Sequence, residues 1–220
     1  IKTNPIVFDK IIEVNKTLII NQETIIKSGT TFNIAKGKNI IFKKKVIALG
    51  TKDKPIIFKK KSDAEWGTIA LQGDSTNNSI FRNVIFDGGS GGQLNNIKYT
   101  GALSIHNTKN IELTNINMSN NKDFDDMLHI VYAKNIKIDS INIVDSFMDA
   151  IDIDMSNNIE IKNAKIKNSG NDAIDLMESD VIITDSNLNN SKDKAISVGE
   201  NSFLILNNSH TVNAKRLENK

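Results

Sequence analysis

Asp149-Ala150-Ile151-Asp152-Ile153 is one copy of a short phrase that recurs through the second half of the chain. The other copies are Leu128-His129-Ile130, Asp172-Ala173-Ile174-Asp175-Leu176 and Lys194-Ala195-Ile196-Ser197-Val198. The anchoring aliphatic residue stands at positions 128, 151, 174 and 196, so the spacings are 23, 23 and 22 residues. A fixed period of this size predicts a solenoid, in which each repeat forms one coil that stacks on the next.

The phrase alternates apolar and polar residues, which is typical of a half-buried strand rather than a helix. Ile151 and Ile153 should point into the core, and Asp152 and Asp154 should point outward. Because the register is the same in every copy, the outward residues should form a column on one outer face. We expect function on that face.

Two earlier segments fit the same phrase, with anchors at Ile69 and Leu103. The gap from Ile69 to Leu103 is 34 residues, which indicates an insertion that the glycine-rich stretch 88–100 would supply. The gap from Leu103 to Leu128 is 25 residues, and its extra residues fall within 120–125. Both insertions precede the same strand, so both should emerge beside the same face and form the walls of a cleft.

A second strand and a third element also recur in each coil, with a polar residue at the bend between them. The residues predicted at this bend are Asn115, Ser140, Asn163, Asp185 and Asn207. Asn tolerates the left-handed backbone that such a bend requires, and stacked Asn side chains can bond along the column. We interpret this column as structural.

Three strands per coil with Asn at a bend resembles the right-handed parallel β-helix of the pectate-lyase-like superfamily. The resemblance covers about residues 66–210 and implies an all-β, single-domain solenoid of about eight or nine coils of 22–25 residues. The expected organisation is an N-terminal cap with irregular coils over 1–62, regular coils over 63–210 and a polar tail over 211–220. The superfamily includes hydrolases, lyases, epimerases, tailspikes and surface scaffolds.

The composition of the chain argues against a nucleic-acid binder and against a membrane-spanning segment. The 220 residues carry a net charge of +2, and there is no basic stripe typical of a nucleic-acid binder. The chain has no Cys and no apolar run long enough for a membrane span, which requires about 18 residues. It starts at Ile1 rather than Met, so we expect an excised domain of a longer protein or a trimmed mature form. The absence of Cys fits the secreted or cell-surface location that we expect.

Stacking should bring like charges together on the outer face. Asp149 should neighbour Asp172, and Asp152 should neighbour Asp175, at the inter-strand distance of about 4.8 Å. Directly opposed like charges destabilise a sheet. Three remedies remain open: calcium held by these four carboxylates, a proton retained on one of them, or opposite charge from His129 and Lys194 on either side.

Hydrolysis of a polysaccharide is one hypothesis, because glycoside hydrolases use a pair of carboxyl groups. The coil order is similar to that of the polygalacturonase-type hydrolases, with Asp149 and Asp172 on positions that this family uses for catalysis. Asn171 stands where the family has the first Asp of an Asp-Asp pair, and Lys194 stands where it has His.

Lyase or epimerase chemistry on uronic acids is the second hypothesis. Calcium on the same four carboxylates would neutralise the substrate carboxylate, and Lys194 or His129 would abstract the neighbouring proton. Around this centre, we predict substrate contacts from Asp126, Asp152 and Asp175, from Tyr132, and from Trp66 stacking on a sugar ring.

The third interpretation is structural. Asp149 and Asp172 would cap turns, Asp152 and Asp175 would be solvated, and Lys194 would make a surface ion pair. Taken together, the sequence predicts a domain that binds and cleaves an acidic polysaccharide on an Asp-lined face. The alternative is a non-catalytic structural or adhesive module of a larger surface protein.

Overall fold

The computed structural model describes residues 4–214 and the backbone of residues 216–219. The chain is a right-handed parallel β-helix of about nine coils, which confirms the predicted fold class. Strands account for its regular structure apart from one short 3₁₀ helix, Asp74–Thr76. The strands are β1 Ile6–Phe8, β2 Ile11–Val14, β3 Leu18–Ile20, β4 Thr24–Ile26, β5 Thr31–Ile34, β6 Ile40–Phe42, β7 Val46–Leu49, β8 Ile56–Lys60, β9 Ile69–Gln72, β10 Ile80–Asp87, β11 Gly92–Leu94, β12 Ile97–Tyr99, β13 Leu103–His106, β14 Lys109–Ser119, β15 Leu128–Val131, β16 Lys134–Ser146, β17 Ile151–Asp154, β18 Asn157–Lys162, β19 Lys165–Ser169, β20 Ile174–Met177, β21 Asp180–Thr184, β22 Asn187–Asn189, β23 Lys194–Val198, β24 Phe203–Asn207, β25 His210–Val212 and β26 Arg216–Asn219.

The repeated phrase forms a nine-stranded parallel sheet, called here the site sheet. Its order is β26-β23-β20-β17-β15-β13-β9-β6-β3. The anchors pair as the spacing predicts, Leu128 with Ile151 and Ile151 with Ile174. The second and third elements of the coils belong to a separate 15-stranded sheet, which is also parallel.

The core consists of aliphatic ladders with one aromatic ladder at the N-terminal end. The inward residues of β17, Ile151 and Ile153, are fully buried, as their alternation predicts. The rings of Phe8, Phe32, Phe58 and Phe86 follow one another with centroid distances of 5.2, 4.7 and 5.1 Å. Burial of this β-branched and aromatic surface is the main stabilising contribution to the coils.

The predicted Asn column lies at a left-handed bend in four of its five positions. Asn115, Ser140, Asn163 and Asp185 have φ angles of 53°, 62°, 54° and 53°. The fifth assignment, Asn207, is wrong by one residue: Asn207 pairs with Thr184 inside the strand, and Asn208 takes the bend with φ 44°. The sequence analysis did not identify a second ladder, in which Asn158 donates a side-chain amide hydrogen bond to Asn135, Asn135 to Asn110, and Asn110 to Asn78.

The N-terminal cap does not take the predicted form. β1 and β2 pair in parallel with β4 and β5, so residues 6–14 already belong to the first coil. Residues 211–220, predicted as a tail, include the end of β25 and strand β26, which pairs with β23. Residues 1–3, 215 and 220 of these two predicted segments lie outside the described part of the chain.

The two insertions emerge beside the outer face of the site sheet, as predicted. β11 and β12 form an antiparallel hairpin, and its Leu94, Ile97 and Tyr99 pack on the outward side chains of Ile41 and Ala70. The second insertion contacts this hairpin through an ion pair of 3.7 Å between Lys98 Nζ and Asp125 Oδ2. We call the hairpin together with residues 120–125 the loop wall. Within the described residues, no helix is long and apolar enough to cross a membrane.

Candidate functional site

The outer face of the site sheet has a covered half and an open half. Its outward side chains form two columns, Ala70-Ser104-His129-Asp152-Asp175-Ser197 and Gln72-His106-Val131-Asp154-Met177. His129 is 7% exposed, whereas the side chains of Asp152 and Asp154 are 20% and 21% exposed. The open half therefore begins at β17, and we call its residues Asp152, Asp154 and Asp175 the acidic strip.

His129 occupies the boundary between the covered half and the acidic strip. Its Nε2 lies 3.3 Å from Asp154 Oδ2 and 3.9 Å from Asp152 Oδ2. Its Nδ1 lies 3.3 Å from His106 Nε2 on the opposite side of the ring. The two ring nitrogens thus have different partners, and these partners fix the orientation of the imidazole.

The loop wall holds His106 in place. The Tyr99 ring lies 5.0 Å from the His106 ring, and the Tyr99 hydroxyl donates a 2.6 Å hydrogen bond to Gln72 Oε1. Burial, assisted by His129, lowers the pKa of His106 to about 3, so its imidazole is neutral at physiological pH. Neutral His106 can accept a hydrogen bond from His129 Nδ1, which leaves Nε2 of His129 facing the carboxylates.

Burial and mutual repulsion favour the protonated form of several carboxyl groups here. Burial, followed by repulsion from Asp126 and Asp154, raises the pKa of Asp152 to about 9. Burial, followed by repulsion from Asp125 and Asp149, raises the pKa of Asp126 to about 8. Both carboxyls therefore tend to retain a proton at neutral pH, which is the second of the three remedies considered for the stacked acids.

Asp149 and Asp172 are neighbours, as predicted, and they have structural hydrogen bonds. Asp149 Oδ1 accepts bonds from the Asp172 backbone N–H at 2.7 Å and from Asn171 Nδ2 at 2.9 Å. Asp172 Oδ1 accepts a 2.7 Å bond from the Lys194 backbone N–H. Burial outweighs these bonds and raises the pKa of Asp149 to about 6. The arrangement fits the capping interpretation, except that each carboxylate caps the next coil rather than its own turn.

Lys194 is not placed to act as a base. Its Nζ lies 2.7 Å from Asp193 Oδ2 and 3.7 Å from Asp172 Oδ2. The hydrogen bond to Asp193 is the main reason that the pKa of Lys194 is raised, so the ammonium form persists. The raised pKa does not favour the predicted role of Lys194 as a proton acceptor, and its ion pair with Asp172 is present but buried rather than on the surface.

Of the two predicted aromatic contacts, only Tyr132 is accessible. Trp66 is fully buried, and its Nε1 donates a 2.8 Å hydrogen bond to the Asp87 carbonyl oxygen. Gly89 lies against this indole, where a Cβ would come within 2.4 Å of a ring carbon. The prediction that Trp66 stacks on sugar is therefore wrong. Tyr132 is 57% exposed at the turn after β15.

The metal ligands that converge differ from the predicted calcium set. Among the described residues, His129, Asp152 and Asp154 are the group whose ligand atoms all lie within 4.8 Å of one another. Asp149 and Asp172 each use one carboxylate oxygen for backbone amides instead. The sequence analysis placed Asp154 on the outer face but did not include it in the site. It assigned no role to His106, and nothing in the sequence places Tyr99 beside it.

No family model and no curated protein sequence matches the chain. A solved structure from Parabacteroides merdae, designated a "putative glycosyl hydrolase", is similar with a TM-score of 0.50 and 13% identity over 80% of this chain and 83% of that one. The periplasmic alginate epimerase AlgG, as a double mutant, gives 0.47 and 11% over 90% and 61%. The catalytic domain of a GH87 α-1,3-glucanase gives 0.49 and 12% over 97% and 35%. This chain thus spans less than two thirds of the last two chains. At 13% identity, the similarity to the Parabacteroides merdae structure shows the fold alone.

Proposed function

We propose that the acidic strip and the adjoining loop wall bind an acidic polysaccharide, on a protein that is secreted or located at the cell surface. The observation that carries this proposal is the position of the strip, an open row of polar groups that begins where the loop wall ends. Successive strands present these groups about 4.8 Å apart, which suits a ligand that is itself a repeating polymer. The fold is shared with the Parabacteroides merdae protein, but the proposal depends on the site, because fold alone does not imply function.

The loop wall supplies the groups that an acidic sugar needs. A groove of about 340 Å³ runs between the two insertions, and Ser90, Gly91, Gly92, Gln93, Lys98, Asp123 and Phe124 line it. Phe124 is 45% exposed, and Lys98 Nζ lies 5.0 Å from the centre of its ring. An exposed aromatic ring can stack on the apolar face of a sugar, and the neighbouring ammonium can pair with a sugar carboxylate.

Hydrolysis is a second candidate, favoured by the spacing of two carboxyl groups. One oxygen each of Asp152 and Asp154 lies within 4.8 Å of the other. Retaining glycoside hydrolases hold their two carboxyl groups about 5–5.5 Å apart, with one as the acid and the other as the nucleophile. In that reaction Asp152 would donate the proton to the leaving oxygen, and Asp154 would attack the anomeric carbon.

Binding is tested with a panel of uronate-containing and neutral oligosaccharides, measured by calorimetry. We expect affinity for the uronate-containing members only, weakened about tenfold or more by Lys98→Ala and by Phe124→Ala, since each tenfold corresponds to about 1.4 kcal/mol. Lys109→Ala, an exposed lysine on β14, is the matched control and should bind as the wild type does. Equal affinity of all three variants for every glycan would contradict the proposal.

Cleavage is tested on the same panel by the appearance of new reducing ends. Asp152→Asn and Asp154→Asn should each abolish it, while Glu160→Gln, an exposed acid on β18, should not. Cleavage that survives both aspartate substitutions would rule out the hydrolytic pair and leave the binding proposal standing.

A further inference from the structure

We propose that His129, Asp152 and Asp154 bind one divalent transition-metal ion at the boundary between the loop wall and the acidic strip. The three side chains come from two adjacent strands, β15 and β17, so the β-helix itself fixes their relative positions. This metal-binding group differs from the calcium set of four aspartates that the sequence suggested.

The distances fit a common ion. Nε2 of His129 lies 3.3 Å from Asp154 Oδ2 and 3.9 Å from Asp152 Oδ2. An ion such as Zn²⁺ binds nitrogen and carboxylate oxygen at about 2.0–2.2 Å, which places neighbouring ligand atoms about 3–3.5 Å apart. The distance from His129 to Asp154 already lies in this range, and the Asp152 carboxylate can approach by rotation about its terminal bond.

The histidine is already oriented as a ligand would be. A metal-binding imidazole usually donates its second ring N–H to a fixed acceptor, which sets both the tautomer and the ring orientation. His106 is placed to be that acceptor, 3.3 Å from His129 Nδ1, and it is 6% exposed beneath the Tyr99 ring. Tyr99 of the loop wall and His106 of β13 provide this support, and neither is one of the three proposed ligands.

The charge around the group also calls for a cation. Asp175 pairs directly with Asp152 in the sheet, so the three proposed ligands lie next to a further carboxyl group. The ammonium of Lys194 is engaged with Asp172 and Asp193. A doubly charged ion between Asp152 and Asp154 would offset the close approach of these carboxyl groups.

The ligand set selects the class of ion. Calcium takes six to eight oxygen ligands, and an imidazole nitrogen is a poor substitute for one of them. Imidazole with carboxylates suits zinc and the neighbouring transition metals. Three protein ligands on a partly exposed surface also leave a coordination position toward solvent. A carboxylate of the glycan would occupy that position, a step that rests on the proposed function.

Metal binding is measured first, without any glycan. The full chain is stripped with a chelator and titrated with Zn²⁺ by calorimetry, and Co²⁺ is used as a spectroscopic probe of the ligand field. We expect one ion per chain with a dissociation constant in the micromolar range or below, no displacement by excess Ca²⁺, and a higher unfolding midpoint in the loaded protein.

His129→Gln and Asp154→Asn should each weaken the affinity at least 100-fold, and circular dichroism establishes that both variants are folded. His210→Gln is the matched control, because His210 is an exposed histidine on β25, and it should bind as the wild type does. Substoichiometric binding by the wild type, or unchanged affinity in both site variants, would overturn the metal site.

Glycan binding is then repeated with and without the ion. Zinc binding without glycan binding would support the metal site while refuting the proposed function. Loss of uronate binding on chelation, restored by zinc, would support the coupling of the two. Uronate binding or cleavage that is unchanged in chelator would overturn that coupling and assign Asp152 and Asp154 to metal-free chemistry.

Discussion

Replacing Asp126 by Asn should make the metal-free protein more stable at alkaline pH. Asp126 is 2% exposed, and burial together with Asp125 and Asp149 raises its pKa to about 8 from 3.8. A carboxyl whose pKa is higher in the folded than in the unfolded protein makes its full contribution to stability at pH values below its unfolded-state pKa. That contribution is lost as the pH rises through the folded pKa, because the unfolded chain ionises first. The stability of the wild type should therefore fall between about pH 4 and pH 8.

The size of the effect follows from this interval. About four pH units separate the two pKa values, and each unit corresponds to about 1.4 kcal/mol, so the upper limit is about 5–6 kcal/mol. Water penetration and side-chain relaxation reduce such penalties, and we expect roughly 2 kcal/mol at pH 8. For a chain of this size, that corresponds to an increase of about 4–8 °C in Tm.

The assay is thermal unfolding followed by circular dichroism at pH 5 and pH 8, in chelator. Asp126→Asn should exceed the wild type at pH 8, and the difference should be clearly smaller at pH 5. Asp123→Asn, an exposed acid in the same insertion, should match the wild type at both values. An Asp126→Asn variant that is less stable at pH 8, or whose advantage does not change with pH, would refute the electrostatic reasoning.

Three further substitutions test the fold. Gly170→Ala places a Cβ 1.7 Å from the Phe147 carbonyl oxygen and should cost roughly 1–3 kcal/mol in urea unfolding, so an unchanged midpoint would contradict the packing. Asn135→Ala loses the bonds to Asn110 and Asn158 and keeps φ 56°, so we expect a loss of roughly 2 kcal/mol, with Asn135→Gly less affected because glycine tolerates that φ. Trp66→Phe should lower Tm but leave zinc and glycan affinity unchanged. A change in either affinity would show that Trp66 does contribute to the site.

The fold was predictable because its determinants are local and repeated. Spacing and alternation around Ile151 give both the coil length and the inward face, and neither depends on distant contacts. The N-terminal coils were predicted to be irregular because β3 and β6 lack the polar half of the phrase, although Leu18 and Ile40 pair in the site sheet. The error at Asn207 arose because the spacing of one coil was carried into the last coil, where the bend falls one residue later.

The candidate site was predictable only in part, because its key contacts are not in register. The sheet pairs His129 with Asp152, whereas the imidazole lies closer to Asp154, which stands two residues after Asp152 on the same strand. His106 pairs with Val131 in the sheet, but its ring contacts His129, which stands two residues before Val131. Side-chain direction, rather than strand register, decides such contacts, and the packing of Tyr99 depends on how the hairpin folds back.

A β-helix stacks like residues on like residues, and the consequences differ between neutral and charged side chains. Stacked Asn side chains satisfy one another, as the ladder from Asn158 to Asn78 shows, so such columns can extend over many coils. Stacked carboxylates repel, and among the described side chains of the two outward columns they occupy only β17 and β20, with Ser104 and His129 before them and Ser197 after them. Solvation alone would have allowed the acids on any outer face. They lie instead beside the loop wall, facing an imidazole whose orientation a second histidine fixes. That placement favours a site selected to hold a cation or a proton over a column of merely solvated residues.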